Sequence, residues 1–197
     1  MKISSCTKCS RIQAHLKKIK IKYPSYFCKP IAGKGNCNSS ICIFGLAPGL
    51  HGANRTGIPF TGDFSGKIIR SILNKLCISD IFITNIVRCY PDKNKPLKTE
   101  INNCHLNNTK ELSKLKNLKV IITLGELAYR QILKIYSLKY NDYKFKHGRK
   151  IKLSDEKILL SSYHCSRINI NTGRLKKESL TSVFKQAKII ANEKRVS

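Results

Sequence analysis

The chain has 197 residues, of which 41% are apolar, and this is enough for one domain with a full hydrophobic core. No apolar run reaches the length of a membrane span, and the first residues lack the apolar segment of a signal peptide. We therefore expect a cytoplasmic protein that folds as a single domain over residues 1–197.

The charge is strongly unbalanced: 38 Lys and Arg against 11 Asp and Glu give a formal net charge of +27. A biased base composition can explain an excess of Lys over Arg, but it explains the scarcity of acids less well. Such an excess favours a polyanionic partner, most often nucleic acid. An anionic membrane is the second candidate, but the sequence shows no basic amphipathic helix with a bulky aromatic face. We expect a nucleic-acid partner and no membrane.

In chain order, the first predicted element is a helix over residues 4–20, with Ile12, Leu16 and Ile19 facing inward. Short apolar runs are typical of buried strands; they cover residues 41–46, 81–87, 120–124 and 158–162. Apolar residues at helical spacing predict further helices; they include residues 68–76, 101–115, 127–135 and 180–190. The polar segment 138–155 is interpreted as a long loop or a hairpin at a sheet edge.

Strands that alternate with helices indicate a parallel sheet covered on both faces. With right-handed crossovers, this predicts an α/β fold, a three-layer α/β/α sandwich with a central four-stranded parallel sheet. Ligands of such sheets bind at the carboxyl ends of the strands. Chemically suggestive residues follow three of the strands: a glycine-rich loop after the first, Asn85 near the end of the second, and His164 after the fourth.

The glycine-rich loop covers residues 45–66 and contains six glycines and two prolines. Glycine permits close approach of the backbone to a ligand. Between a strand and a helix, exposed N–H groups can bind an anion or the polar edge of a base, although an ordinary structural loop is the alternative. Asp63 lies inside this loop in a chain with few acids. It either caps the following helix or supplies a carboxylate for catalysis.

The loop closely resembles motif 1 of the uracil-DNA glycosylase superfamily, and specifically its family 5 branch. That branch is typified by Gly-Leu-Ala-Pro, His-Gly, Asn-Arg-Thr-Gly and Phe-Thr-Gly-Asp, all present here in order. Ser-Tyr-His-Cys-Ser at residues 162–166 and Asn-Thr-Gly-Arg-Leu at residues 171–175 resemble the family's His-Pro-Ser motif and DNA-inserting loop. Thr-Asn at residues 84–85 and Val-Arg-Cys at residues 87–89 resemble a third segment. The resemblance spans about residues 5–190.

One residue departs from the family pattern, because Cys165 stands where the family usually has proline. We expect this replacement to loosen the backbone that aims His164 and to lower activity.

The resemblance implies a DNA-repair enzyme that flips out and excises uracil, and also hypoxanthine and xanthine, leaving an abasic site. It assigns catalysis to Asp63, which stabilises the sugar cation or places water, and to His164, which donates a hydrogen bond to the departing base. Other branches carry the polar catalytic residue at the positions of Leu46 or Ala47, and both are apolar here. No lysine stands in a motif position suited to Schiff-base chemistry, so we expect a monofunctional glycosylase.

Substrate binding and DNA binding are assigned in the same way. Phe60 is predicted to stack on the flipped base, with core packing as the alternative, and Asn85 to pair with its polar edge, with a hydrogen bond to backbone as the alternative. The remaining substrate-binding residues are Ala47, Pro48 and Gly49. The predicted DNA contacts are Arg55, Arg167, Asn171 and Arg174. Arg88 contacts phosphate or is merely solvated, and His51 and His147 are supporting candidates.

The nine cysteines, without a signal peptide, argue against a disulfide framework. Cys6 and Cys9 form a C-x2-C pair, and Cys89 and Cys104 enclose 14 residues. Four thiolates suit zinc or an iron–sulfur cluster equally well. The superfamily's cluster cysteines have this same arrangement, so the resemblance implies a [4Fe–4S] cluster. We expect Cys42 and Cys77 in the core and assign no role to Cys28 or Cys37.

Three rival functions are considered. A family 4 glycosylase, narrower for uracil, is disfavoured by Leu46, because that branch has a carboxylate there. A non-catalytic iron–sulfur nucleic-acid-binding protein of the same fold is favoured only by Cys165. A basic zinc-stabilised RNA-binding protein would make the motif match an accident. We expect a nucleoid-associated monomer that uses no nucleotide cofactor.

Overall fold

A six-stranded mixed sheet forms the centre of the computed structural model, which describes residues 3–193. In chain order the strands are β1 (Lys34–Gly35), β2 (Ile41–Gly45), β3 (Ile81–Asn85), β4 (Val120–Leu124), β5 (Lys150–Lys152) and β6 (Ile158–Ser162). Their spatial order is β1-β3-β2-β4-β6-β5. The four inner strands are parallel, and β1 and β5 pair antiparallel at the two edges.

Within the described residues, seven α-helices surround the sheet. They are α1 (Ser10–Lys22), α2 (Ala53–Thr56), α3 (Phe64–Lys75), α4 (Lys98–Lys114), α5 (Glu126–Ile135), α6 (Arg167–Asn171) and α7 (Lys177–Asn192). Two short 3-10 turns, Ile3–Ser5 and Asp92–Asn94, complete the elements of the described residues. None of the helices within residues 3–193 combines the length and apolar character that a membrane crossing requires.

Alternating side chains of the inner strands divide the core into two layers. Cys42 and Phe44 of β2 pack with apolar residues of α1, α4 and α5, whereas Ile41 and Ile43 pack with those of α3 and α7. The predicted three-layer α/β/α sandwich around four parallel strands is therefore confirmed. Edge strand β1 was not predicted because its two residues are exposed and carry no apolar run, whereas β5 falls in the segment predicted as a long loop or a hairpin at a sheet edge.

The structure departs from the prediction at the first helix and at Cys77 and agrees with it at the segment 138–155. The first helix begins at Ser10 rather than at residue 4, because the Cys-x2-Cys segment precedes it. The segment 138–155 does end in a hairpin at the sheet edge, where β5 pairs with β6. The prediction that Cys77 lies in the core is wrong: it is exposed in a left-handed turn (φ 49°) just after α3, whereas Cys42 is fully buried.

Candidate active site

A pocket opens at the carboxyl ends of β2, β3 and β6. The seven residues predicted for catalysis and substrate binding all border it: Ala47, Pro48, Gly49, Phe60, Asp63, Asn85 and His164. The predicted DNA contact Arg167 lies at its rim, together with five residues not predicted from the sequence: Ala53, Phe64, Ser65, Asn94 and Ser166. Chain segments far apart in sequence meet here because parallel strands present their carboxyl ends at one edge.

Asp63 caps α3 and also faces the pocket. Its Oδ1 accepts a hydrogen bond of 2.8 Å from the N–H of Gly66, which satisfies an otherwise free donor of the first helical turn. The other oxygen, Oδ2, lies against the glycine-rich loop: a Cβ added at Gly52 would come within 2.2 Å of it. The capping alternative is therefore observed. A catalytic role stays compatible with it, because the two oxygens point to different neighbours.

His164 follows β6 and is partly buried at the pocket. Burial lowers its pKa, and the nearby Asp63 carboxylate opposes this shift only in part. Within residues 3–193 its imidazole forms no hydrogen bond to protein, whereas its carbonyl accepts one of 2.7 Å from the Asn169 amide. The backbone is thus held in place while a neutral ring remains free to donate to a ligand.

Cys165, the departure from the family motif, is tied to the first turn of α3. The hydroxyl of Ser65 donates to the Cys165 carbonyl (3.1 Å), and the Cys165 thiol donates to the Ser65 carbonyl (3.8 Å). The side chain is fully buried, and burial raises the pKa of the thiol to about 12, so it stays protonated. These two hydrogen bonds connect the segment of His164 to that of Asp63.

Phe60 and Asn85 meet over Gly45 at the floor of the pocket. A Cβ at Gly45 would lie 2.4 Å from Asn85 Oδ1 and 2.6 Å from the Phe60 ring, so a larger residue would displace both. Phe60 packs in the core and also borders the pocket, so core packing and stacking on a base are compatible roles for the same ring. The Asn85 side chain forms no hydrogen bond to protein within the described residues, so the hydrogen bond to backbone considered as its alternative is not observed.

The four predicted DNA contacts are all exposed, and Arg167 borders the pocket. Arg167 begins α6 with its guanidinium 5.2 Å from the centre of the Phe64 ring, and Asn171 ends the same short helix. Arg174 follows in the next turn, 4.7 Å from the centre of the Tyr163 ring. Arg55, on α2, donates to the carbonyl of Gly62 over 3.4 Å.

The interpretation of Arg88 as a phosphate contact or a solvated residue is wrong. Arg88 is 2% exposed, and its Nη2 lies 2.7 Å from Glu111 Oε2 and 2.6 Å from Asn108 Oδ1. Its Nη1 donates to the hydroxyl of Thr84, which in turn donates to Glu111. The group ties the end of β3 to α4. Asn108 and Glu111 belong to α4, twenty or more residues further along the chain, so no local pattern signals their pairing with Arg88.

The two supporting histidines lie outside the pocket lining. His51 hydrogen-bonds through Nδ1 to the Tyr26 hydroxyl over 2.7 Å. His147 stacks on the Tyr163 ring, and burial lowers its pKa. Both therefore contact aromatic residues near the pocket.

A second cavity is bordered by the four predicted ligand cysteines, Cys6, Cys9, Cys89 and Cys104. Burial raises the pKa of the Cys89 and Cys104 thiols, and the charge of a neighbouring thiolate raises it further. A cation between the thiols would reverse this effect. In residues 3–193, however, no three His, Cys, Asp or Glu side chains are arranged to hold a metal ion. The thiols share a cavity without converging on one point.

An α/β sandwich with polar side chains converging at the carboxyl ends of its parallel strands defines a ligand-binding α/β protein with an enzyme-like pocket. The family model of the uracil DNA glycosylase superfamily matches residues 32–188, and the chain belongs to that superfamily. The resemblance predicted from the motifs is confirmed.

The relatives distinguish two branches of the superfamily. The type-5 uracil-DNA glycosylase of Thermus thermophilus is 34% identical, covering 96% of this chain and 95% of the relative. That of Pyrobaculum aerophilum is also 34% identical, covering 94% of this chain and 89% of the relative. The type-4 uracil-DNA glycosylase of Archaeoglobus fulgidus is 30% identical over 70% of this chain and 63% of the relative. The similarity to type-5 proteins extends over more of the chain.

Proposed function

We propose that this protein is a DNA-repair glycosylase that excises uracil from DNA by hydrolysis. The observation that carries the proposal is the convergence of a carboxylate, an imidazole, an amide and an aromatic ring in one pocket of a uracil DNA glycosylase superfamily member. The names of the type-5 relatives supply the substrate.

The pocket receives a nucleotide that has been turned out of the duplex. Phe60 stacks on the base, the amide of Asn85 pairs with its polar edge, and the Pro48-Gly49 backbone lies against it. An amide both donates and accepts hydrogen bonds, so Asn85 matches the adjacent N–H and C=O groups of uracil.

Cleavage breaks the bond between the sugar C1′ and the base nitrogen, and the electron pair leaves with the base. Neutral His164 donates its N–H to the base oxygen that gains charge, while the Asp63 carboxylate stabilises the sugar cation or holds the attacking water. The water oxygen bonds to C1′, its released proton neutralises the charge of the base, and free uracil and an abasic site result. No lysine borders the pocket in the described residues, which supports a monofunctional enzyme without strand cleavage.

The substrate range extends to hypoxanthine and xanthine in this proposal. One support is the family 5 motif with apolar Leu46 and Ala47. The other is the side chain of Asn85, which no group among residues 3–193 holds in one hydrogen-bonding pattern. Around the pocket, Arg55, Arg167, Asn171 and Arg174 contact the DNA, and the net charge of +27 accelerates the encounter. The enzyme acts as a monomer and uses no nucleotide cofactor.

Cys6, Cys9, Cys89 and Cys104 hold a [4Fe–4S] cluster in this proposal, with zinc as the alternative. A single zinc ion requires four sulfurs about 2.3 Å from one point. A cluster binds each thiolate to a different iron, so the thiols surround a volume, as the four thiols bordering one cavity do. The bound cluster would supply a covalent tie between the start of α1, β3 and α4.

The decisive test is a glycosylase assay in EDTA, without nucleotides, on a labelled duplex carrying one uracil. Cleavage only after hot alkali is the result expected of a monofunctional glycosylase. A duplex with thymine in place of uracil is the matched substrate control. No cleavage of uracil, hypoxanthine or xanthine by correctly folded protein would reject the proposal in favour of the non-catalytic nucleic-acid binder.

The cluster is tested by analysing protein purified without air. We expect a brown protein with stoichiometric iron and sulfide, and a Cys89→Ser variant that loses iron and solubility. Cys37→Ser, at an exposed cysteine outside the cavity, is the matched control. A colourless protein with stoichiometric zinc and no iron would establish the alternative.

A further inference from the structure

A basic groove between α3 and α7 is separate from the residues assigned above. Its lining alternates lysines and hydroxyls over an apolar floor. Its four lysines are Lys67, Lys75, Lys177 and Lys185, its single acid is Glu178, and Ser71 and Ser182 supply hydroxyls. Four cations against one anion in a groove of this kind favour an anionic, extended ligand.

The four lysines are available for such a ligand. Within residues 3–193 none of their ammonium groups takes part in an ion pair, although the described acids form six ion pairs elsewhere. Lys67 and Lys75 are eight residues apart on α3, as are Lys177 and Lys185 on α7. Eight residues of helix rise about 12 Å, and a DNA strand rises roughly 3.4 Å per nucleotide along the duplex axis, so each pair of lysines spans about three to four nucleotide steps.

The groove is continuous with the base pocket. Phe64, the first residue of α3, borders both. Arg167, which lies above the Phe64 ring, stands where the two meet. At the other end Lys188 of α7 donates to the carbonyl of Leu76, just after α3, over 2.7 Å and so bridges the two helices. The groove therefore begins at the pocket and is closed far from it.

We propose that this groove binds the phosphate backbone of the DNA on one side of the extruded nucleotide, an inference that rests on the proposed function. DNA seated in the pocket brings its backbone to the mouth of the groove at Phe64. The lysines then contact successive phosphates, and the Ser71 and Ser182 hydroxyls donate hydrogen bonds to their oxygens. The groove adds affinity without reading sequence, because phosphates carry none.

The test neutralises the far end of the groove with Lys75→Gln/Lys185→Gln, two residues remote from the pocket. The control is Lys110→Gln/Lys114→Gln on α4, where two exposed lysines without ion pairs lie on the opposite layer. Binding of a fluorescent uracil-free duplex is measured by anisotropy over a range of salt concentrations. Two lost phosphate contacts lower the slope of log K against log salt by about 1.8 and weaken binding at physiological salt roughly tenfold or more.

The control pair should leave the slope nearly unchanged. Equal losses in both pairs would show a diffuse field rather than a groove, and no loss in the groove pair would also overturn the proposal. If DNA binding is unchanged while a poly-glutamate peptide binds wild type but not the groove variant, the groove accepts an acidic protein segment instead.

Excision of uracil from a short duplex that covers only the pocket separates this inference from the proposed function. Both variants should cleave it at the wild-type rate when enzyme is saturating. Absence of excision by the wild-type protein would reject the proposed function, whereas the salt slopes would still decide whether the groove binds DNA.

Discussion

Asn85, the last residue of β3, and Arg88 just beyond it differ in whether their side chains form hydrogen bonds to other protein groups. Asn85 is 4% exposed, yet within the described residues its side chain has no hydrogen-bond partner. Arg88, three residues later, is 2% exposed and bonds to Thr84, Asn108 and Glu111. The Asn85 amide borders the open pocket, where water or a ligand can bond to it, whereas Arg88 bonds to protein groups and only its Nε lacks a partner within the described residues.

The hydrogen-bond partners distinguish a residue that holds the fold together from one that borders the pocket, a distinction that the sequence alone did not make. Asn85 ends β3 and Arg88 lies three residues beyond it, and both belong to segments that resemble a family motif. Only their partners show that Arg88 is bonded into the fold, whereas the Asn85 amide borders the pocket without a protein partner in the described residues. The largest expected effects therefore fall on stability at Arg88 and on catalysis in the pocket.

Removing the Arg88 side chain should cause the largest loss. Arg88→Met leaves the Glu111 carboxylate buried without its cation, which costs about 3–5 kcal/mol. For a chain of this size the melting temperature should fall by about 10 °C. The control is Arg88→Met/Glu111→Leu, which removes both charges and should recover much of the loss. A stable Arg88→Met protein that fails to cleave uracil would show that Arg88 acts in catalysis instead.

Neutralising Asp63 should have the next largest effect, and on rate rather than stability. Asparagine caps a helix about as well as aspartate, so Asp63→Asn should unfold within about 0.5 kcal/mol of wild type. Loss of the charge should slow uracil excision about 10²- to 10³-fold under single-turnover conditions. Asp63→Ala should add about 1 kcal/mol of destabilisation through the lost cap. If Asp63→Asn excises uracil at the wild-type rate, Asp63 serves only as the N-cap of α3.

Asn85→Ala sharpens the comparison with Asn108, the amide that bonds to Arg88. Asn85 has no hydrogen bond to lose, so its replacement should leave stability nearly unchanged and slow uracil excision about tenfold to hundredfold. Asn108→Ala breaks bonds to Arg88 and to the Ile86 carbonyl, so it should cost roughly 1–3 kcal/mol of stability instead. Both effects appear in parallel denaturation and excision measurements. A loss of stability in Asn85→Ala together with slower excision in Asn108→Ala would contradict the assignment of Asn85 to substrate binding and of Asn108 to the fold.

The pH dependence of excision should follow His164. Its pKa is lowered by burial, so the neutral ring persists as the pH falls towards the ordinary value of 6.5. The rate at saturating DNA should change less than about twofold between pH 8 and 6.5 and fall below that range as the ring gains a proton. His147, whose pKa burial also lowers, lies outside the pocket lining, so His147→Gln should keep this profile. A rate that rises on acidification would show that the imidazolium is the donor.

The sequence revealed the fold where side chains were buried on both faces of the sheet. The runs at residues 120–124 and 158–162 match β4 and β6, because inner parallel strands are buried on both faces and consist mostly of apolar residues. β1 was not predicted because both of its residues are exposed, and β5 was predicted only through the alternative of an edge hairpin because its outer two residues are exposed. The pocket was predictable from residue order at strand ends. Arg88 was misassigned because its partners are brought to it only by packing of α4.

The smallest effect is expected at Cys165, the other long-range pairing that sequence order hides. Ser65 and Cys165 are 100 positions apart, and their two hydrogen bonds already restrain the backbone that a proline would restrain. Cys165→Pro should therefore change stability by less than about 1 kcal/mol and raise uracil excision at most a few-fold.

Ser65→Ala is the matched variant, because it removes the hydroxyl bond to the Cys165 carbonyl and should cost about 1 kcal/mol. Combined with Ser65→Ala, Cys165→Pro should have a larger benefit than it has alone, since proline then supplies a restraint that is missing. A more than tenfold gain from Cys165→Pro in the presence of Ser65 would show that these two bonds leave His164 poorly aimed, and that the cysteine loosens the site as the motif alone predicts.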